Sequence, residues 1–312
     1  MEVSPQAPEK ALVVVAGPTA VGKTELCLWL AQAWDTEIVS ADSRQFFREM
    51  NIGTAKPSPA ELAAVKHHFI NSHHIAQEYN AGAFETDALQ TIAGILQHRQ
   101  VAILTGGSGL YIRAVCEGMD QMPQVDPALR QALMQDLEQQ GLAALLRQLQ
   151  QLDPLYYQQV DQANTQRVVR ALEVCLASGR PYSDFRVRDI PDRPFHLIKI
   201  GLDRDRQELY QRIDARMDHM VAQGLLEEAR HLYPFRHHNA LQTVGYKEVF
   251  DFLEGKYDWP EALRLLKRNS RRYAKRQLTW FRKDQGFTWF HPDDRAGIMA
   301  HIQKNLPPAN PK

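Results

Sequence analysis

The sequence predicts an α/β fold, a parallel sheet core built around a phosphate-binding loop, with an all-helical domain inserted into it. Three observations predict it. A short apolar, β-branched run at 12–16 leads directly into GPTAVGKT and then an amphipathic helix at 25–33. Further strand-like runs at 37–41, 101–104 and 196–200 alternate with helix-patterned segments, the order of a doubly wound sheet. Between about 121 and 182 no strand pattern occurs, only leucine stripes at helical spacing.

The loop comprises Gly17, Pro18, Thr19, Ala20, Val21, Gly22, Lys23 and Thr24, which fit G-x-x-x-x-G-K-[ST]. Glycines let successive backbone N–H groups point inward, and the following helix adds the positive end of its dipole. Lys23 can reach outer phosphate oxygens, and the Thr24 hydroxyl can sit on Mg²⁺. Alone, the loop reads as nucleotide- or ATP-binding and specifies only a polyphosphate. The second strand ends in Asp42-Ser43-Arg44-Gln45. Ligands of open α/β sheets bind at the carboxyl ends of strands, so topology places Asp42 beside the loop. Its carboxylate can take a proton or hold Mg²⁺ through water; as a turn residue it can also simply cap the chain reversal.

Residues 50–59 form a turn-rich loop with Lys56 expected exposed at its centre, and a helix runs from Pro59 to 65. The pairs His67-His68 and His73-His74 invite a metal reading. Adjacent histidines converge poorly, and no cysteine or carboxylate cluster accompanies them, so packing or surface roles are expected. A helix at 83–97 and the third strand lead to a second glycine-rich turn, Gly106-Gly107-Ser108-Gly109, on the same rim as the phosphate loop.

In the insertion, Asp126-Pro127 opens a helix, Gly141 breaks it, and Asp153-Pro154 stops a second. A third helix, 164–177, carries Arg167 and Arg170 at i, i+3, where they share a face that is either solvated or functional. Past the fourth strand, the helix 207–221 presents Arg212 and Arg216 at i, i+4. The pair suits a diphosphate, or is ordinary helix surface. A loop at 242–247 opens another helix. The helix 260–281 is strongly basic: from Arg264 to Lys283 there are nine cations and no acid. Leu266, Tyr273, Gln277, Trp280 and Phe281 form its expected buried stripe. The tail after Trp289 reads as largely disordered.

Composition excludes several classes. Thirty-seven Lys and Arg balance 37 Asp and Glu among 312 residues, so nucleic-acid contact must come from local patches such as the basic helix. Three scattered cysteines argue for a reducing compartment and against a disulfide or zinc framework. No apolar run approaches membrane-spanning length, and residues 1–10 do not read as a signal peptide. A cytoplasmic location is expected.

Taken together, GPTAVGKT (17–24), SADSRQ (40–45), MNIGTAKP (50–57), GGSGLYI (106–112) and DPALR (126–130) resemble the tRNA dimethylallyltransferase family of tRNA-modifying enzymes. So do NTQRVVRALEV (164–174), QRIDARMDHM (211–220), QTVGYKE (242–248) and AKRQLTWFR (274–282), in family order. The resemblance implies a P-loop NTPase-like core over 1–120 and 191–312, with a helical, tRNA-contacting insertion over 121–190. It implies transfer of a dimethylallyl group from its diphosphate to N6 of the adenosine 3′-adjacent to the anticodon (position 37) of tRNAs reading codons that begin with U. Mg²⁺ is the expected cofactor. The expected partners are dimethylallyl diphosphate and the tRNA anticodon stem-loop, with the protein acting as a monomer away from membranes. By resemblance Asp42 orients the amine and accepts its proton, Thr24 contacts Mg²⁺ and diphosphate, and Lys23 and Arg216 neutralise charge, with Arg212 as the secondary candidate. The tRNA-facing positions are Asp42, Ser43, Arg44, Gln45, Ser108, Arg130, Gln166, Arg167, Val168, Val169, Arg170, Gln242, Thr243, Val244, Gly245, Tyr246 and Lys247. Asn71 stands where the family has aspartate.

A small-molecule P-loop kinase is the competing expectation, since it too uses a loop lysine, Mg²⁺ and an acid after the second strand. It leaves the helical insertion and basic helix without a purpose. A non-catalytic RNA-binding module leaves the loop and Asp42 unexplained.

Overall fold

The computed structural model describes residues 10–187 and 190–307. Residues 1–9 and the proline-rich 308–312, part of the expected disordered tail, lie outside the described residues. The chain divides into two units, one formed by 1–117 with 192–312, the other by 118–191.

The first unit is built on a six-stranded parallel sheet. Its strands are β1 (Ala11–Ala16), β2 (Ile38–Ser40), β3 (His67–His68), β4 (Val101–Gly106), β5 (His196–Leu202) and β6 (Thr288–Phe290). The order is β3-β2-β4-β1-β5-β6. The four expected strands form the centre, and two short edge strands, β3 and β6, add to it. β1 is fully buried between β4 and β5, with Val14 opposite both Leu104 and Lys199. Its side chains alternate with period two. Leu12, Val14 and Ala16 join the core on one face, with Phe84, Ile92 and Val115. Ala11, Val13 and Val15 join that on the other, with Leu26, Leu30, Ile213 and Ile302. Burial on both faces is why the strand reads as one continuous apolar run.

The tail corrects one expectation. Beyond Trp289 the chain forms the helix Arg295–Asn305, capped by Asp294, whose side chain accepts from Gly297 N. Ile298 and Ile302 are buried in the second core. The histidines also have packing partners. His68 bonds Glu37 at 2.5 Å, His74 bonds Glu49 at 2.8 Å, and His73 stacks on Tyr79 at 3.8 Å. Lys56 is not the exposed loop residue expected. Its ammonium donates to Phe47 O (2.6 Å), Asn71 Oδ1 (2.6 Å) and Asn51 Oδ1 (3.1 Å). Burial pushes it down to about 8.

The second unit packs Leu133, Leu145, Leu149, Tyr156, Val168 and Leu172 between the helices Pro127–Gln140, Leu142–Leu152, Pro154–Gln159 and Thr165–Ser178. Asp153-Pro154, expected only as a stop, also starts a helix. The Asp153 carboxylate accepts from Tyr156 N at 2.8 Å and from Ser183 N at 2.7 Å. Val168 and Val169 are buried in this core, so their side chains do not form the RNA-facing surface expected of them. Exposed Gln166 and Arg167 precede them. Arg130 and Arg170 both reach Glu173, at 2.8 and 3.1 Å. With 2 % exposure, Glu173 holds two guanidiniums at one place.

Candidate active site

The site begins where β1 ends, as residues 17–22 turn into the helix Lys23–Ala33. Gly17 answers to crowding, since a Cβ there would lie 2.9 Å from the Leu202 carbonyl oxygen. Gly22 answers to conformation, with φ 114° in the left-handed region. The loop closes around its own lysine: Lys23 Nζ donates to Gly17 O (2.9 Å) and Pro18 O (2.7 Å). Burial, followed by the Arg216 guanidinium, lowers Lys23 to about 8, against the upward pull of Asp42. A cation crowded by like charge gains from any anion that arrives.

The loop is held from two other helices. From Arg206–Ala222, Arg212 Nε donates to Ala20 O at 2.9 Å. From the basic helix Trp259–Phe281, Gln277 Oε1 accepts from Thr19 N at 2.9 Å, while its Nε2 donates to Gly107 O, also at 2.9 Å. One buried amide therefore ties the phosphate loop to the second glycine-rich turn. That turn is tied in addition to the end of β2, through Ser108 Oγ, which accepts from Ser43 N at 3.0 Å.

These elements enclose a cleft of about 530 Å³. Lys23, Thr24, Asp42, Arg212 and Arg216 all line it, so the structure brings together the residues expected for diphosphate and proton chemistry. Asp42 serves two purposes. Its Oδ1 accepts from Arg44 N at 3.0 Å, the turn role, and its charge favours the protonated forms of both Lys23 and Arg216. Burial lowers Arg216, with Arg212 adding to the effect and Asp42 opposing it. Lys23, Arg44, Arg212 and Arg216 line the cleft against the carboxylates of Glu25, Asp42 and Glu61, and the clustering of Lys23, Arg212 and Arg216 about Asp42 at the loop end suits a diphosphate.

Arg44, Gln45, Thr243, Val244 and Gly245 line the same cleft. Gln242 and Lys247 are exposed, whereas Tyr246 is buried, its hydroxyl donating to Glu228 Oε1 at 2.5 Å. Tyr246 is therefore a packing and hydrogen-bonding residue instead of the RNA-facing one expected. The basic helix departs from expectation in two further ways. Trp280, placed on its buried stripe, is 37 % exposed and lies against Gly109 and Arg113. About half the cations are paired: Arg264 with Glu261, Lys267 with Asp218, Arg271 with Asp214 and Arg282 with Asp203. Arg268, Arg272, Lys275, Arg276 and Lys283 form no ion pair among the described residues.

Sequence reasoning did not anticipate the cleft roles of Gln277, Tyr273, Met217 and Met220. The signal for Gln277 was present, because a polar amide on an apolar stripe requires partners. Burial and the nearby Asp42 push the Tyr273 phenol up to about 12, so it stays a protonated neighbour of that carboxylate.

A family model described as IPP transferase matches residues 45–284. The tRNA dimethylallyltransferase 1 of Phocaeicola vulgatus is 49 % identical over 291 residues, covering 93 % of this chain and 97 % of that protein. The tRNA dimethylallyltransferase of Christiangramia forsetii is 50 % identical over 296 residues, covering 95 % and 98 %. Among solved structures, the full-length tRNA isopentenylpyrophosphate transferase from Bacillus halodurans has a TM-score of 0.69 at 36 % identity, covering 95 % of this chain and 98 % of that one.

Proposed function

The chain belongs to the IPP transferase family, and from that premise we propose that it transfers a dimethylallyl group from dimethylallyl diphosphate to N6 of the adenosine 3′-adjacent to the anticodon (position 37) in tRNAs reading codons that begin with U. The observation that carries the proposal is the convergence of Lys23, Arg212, Arg216 and Asp42 on one cleft at the carboxyl ends of parallel strands.

In this reading the N6 lone pair forms a bond to C1 of the allyl group. The C1–O bond breaks, and its electron pair leaves with the diphosphate. The amine proton passes to the Asp42 carboxylate, which the turn to Arg44 N holds in place. Charge on the leaving diphosphate is met by Arg216, Arg212 and Lys23, whose ammonium exchanges the Gly17 and Pro18 carbonyls for phosphate oxygens. Because the allylic carbon carries partial positive charge, stabilising the leaving group contributes more than strengthening the nucleophile.

No group of three or more potential metal-ligating side chains occurs among the described residues. Mg²⁺ needs no such cluster, because it binds through one or two protein oxygens, substrate phosphates and water. The exposed Thr24 hydroxyl, in the first turn of the loop helix and lining the cleft, would hold it beside the diphosphate, where it would neutralise leaving-group charge.

RNA contacts are assigned within each unit separately: in the helical unit to the exposed Gln166 and Arg167 and to Arg130 and Arg170 held by Glu173. In the sheet unit they are assigned to the exposed Gln242 and Lys247, to the cations of the basic helix without ion pairs, and to Ser43, Arg44 and Ser108 at the cleft rim. The target base must leave its stack to bring N6 to Asp42. The protein is taken to act in the cytoplasm as a monomer; no described helix is long and apolar enough to cross a membrane.

The test is direct. Unmodified tRNA is incubated with the protein, Mg²⁺ and radiolabelled dimethylallyl diphosphate, and in parallel with γ-labelled ATP. Label entering tRNA from the allyl donor alone is expected. Label from ATP alone, or from neither, refutes the proposal.

A further inference from the structure

Glu228 lies on the helix Leu225–Leu232, outside every motif that carries the chemistry, yet its carboxylate gathers four donors. Oε2 accepts from Asn51 N at 3.0 Å and Ile52 N at 2.8 Å. Oε1 accepts from Gly53 N at 2.9 Å and from the Tyr246 hydroxyl at 2.5 Å. Three consecutive backbone amides and a buried phenol thus converge on one side chain, filling the roughly four lone-pair sites of an ionised carboxylate. The Tyr246 ring also backs this loop: a Cβ on Gly53 would lie 2.5 Å from Tyr246 Cζ.

The gripped loop is a wall of the cleft, through Gly53, Thr54 and Ala55. The Thr54 and Ala55 carbonyls both accept from Gln45 Nε2 at 3.1 Å, and Gln45 Oε1 faces Ser40 Oγ at 3.4 Å. Gln45 ends the turn that Asp42 begins. A hydrogen-bonded path therefore runs from Glu228 through the loop 51–55 and the Gln45 amide to the turn that carries the proton-accepting carboxylate.

We infer that Glu228 is a positioning residue for the transfer reaction, fixing the 51–55 loop and, through Gln45, the turn that aims Asp42. The inference rests on the function proposed above. It requires the carboxylate itself. An amide at 228 keeps the volume but offers one acceptor oxygen, and its NH₂ group confronts N–H donors.

The experiment measures single-turnover transfer to unmodified tRNA by full-length wild type, Glu228→Gln, Gln45→Ala and the double variant, each normalised to folded protein. Glu228→Gln is expected to lower the maximal rate about 10- to 100-fold, the scale of a sub-ångström to ångström misplacement. KM for either substrate should move by less than about threefold. Amide exchange should quicken at 51–53 and not in β1. Gln45→Ala cuts the path at its other end and should show the same loss of maximal rate. The double variant should be little worse than either single one, because both act on one path. A wild-type rate per folded molecule in Glu228→Gln, a wild-type rate in Gln45→Ala, or fully additive losses would each overturn the inference. If Glu228→Gln does not fold, Tyr246→Phe, which removes one of the four donors on the Glu228 carboxylate, takes its place, and a wild-type rate there overturns the inference. Absence of transfer by the wild type instead refutes the proposed function.

Discussion

Gln277→Leu removes the amide that joins the phosphate loop to the second glycine-rich turn while keeping its approximate volume. Gln277 is 6 % exposed and makes two 2.9 Å bonds, one to Thr19 N and one to Gly107 O. Leucine leaves both backbone groups without a partner. An unsatisfied buried group costs about 1–3 kcal/mol, so unfolding free energy should fall by about 2–6 kcal/mol where water does not enter. The functional consequence follows from the loop's freedom. Ordering one backbone residue costs about 1–2 kcal/mol, which predicts about 5- to 30-fold weaker binding of inorganic diphosphate. Urea unfolding of the ligand-free protein measures the first quantity and calorimetric titration with diphosphate the second. A stability loss under about 0.5 kcal/mol together with unchanged diphosphate affinity would refute the reasoning, because it would mean that neither backbone group depends on Gln277.

Asp42→Ala should cost about 10²- to 10⁴-fold in single-turnover rate while tRNA affinity changes little; a parallel collapse of binding would make Asp42 a recognition residue instead. Arg167→Ala should weaken tRNA binding and reduce the slope of log K against log salt by about 0.7–0.9, and an unchanged slope removes Arg167 from the RNA surface. Lys23 and Lys56 are both lowered from 10.5 to about 8 in the fold. Through these two groups the unfolded chain binds more protons than the native state above about pH 7, so stability of the ligand-free protein should rise as pH increases from about 7 to about 8.5. Above that the buried Cys27 and Cys116 thiols, pushed from 9.0 up to about 12, act in the opposite sense and end the rise. Chemical unfolding at fixed ionic strength checks the sign, and a fall over that window contradicts the assignment of the two depressed lysines.

What was legible in the sequence was what depends on neighbours along the chain. The phosphate loop needs a strand before it, glycines within it and a helix after it, and all three lie in one short stretch. Asp42 came from a topological rule and needed no contact to be known. The parts that were misread depend on distant partners. The tail helix fully buries only Ile298 and Ile302, with Met299 partly buried beside them, too few for a clear stripe, and it is fixed by a core assembled from strands and helices far earlier in the chain. Asp294 was its one local sign, a cap accepting from Gly297 N. The basic helix looked uniformly cationic because the acids that pair with Lys267, Arg271 and Arg282 sit at Asp218, Asp214 and Asp203. Long-range pairing of this kind divides the helix by function. Lys267 and Arg271 hold it against the helix Arg206–Ala222, which supplies Arg212 and Arg216. The set without ion pairs among the described residues, Arg268, Arg272, Lys275, Arg276 and Lys283, leaves charge that the proposed function would give to a phosphate backbone. Gln277 and Tyr273 add a third use of the same helix, facing the cleft. Under the proposed function the helix would take an RNA backbone on one side while it braces the phosphate loop on the other, so damage to its cleft-facing side should reach diphosphate binding before it reaches RNA.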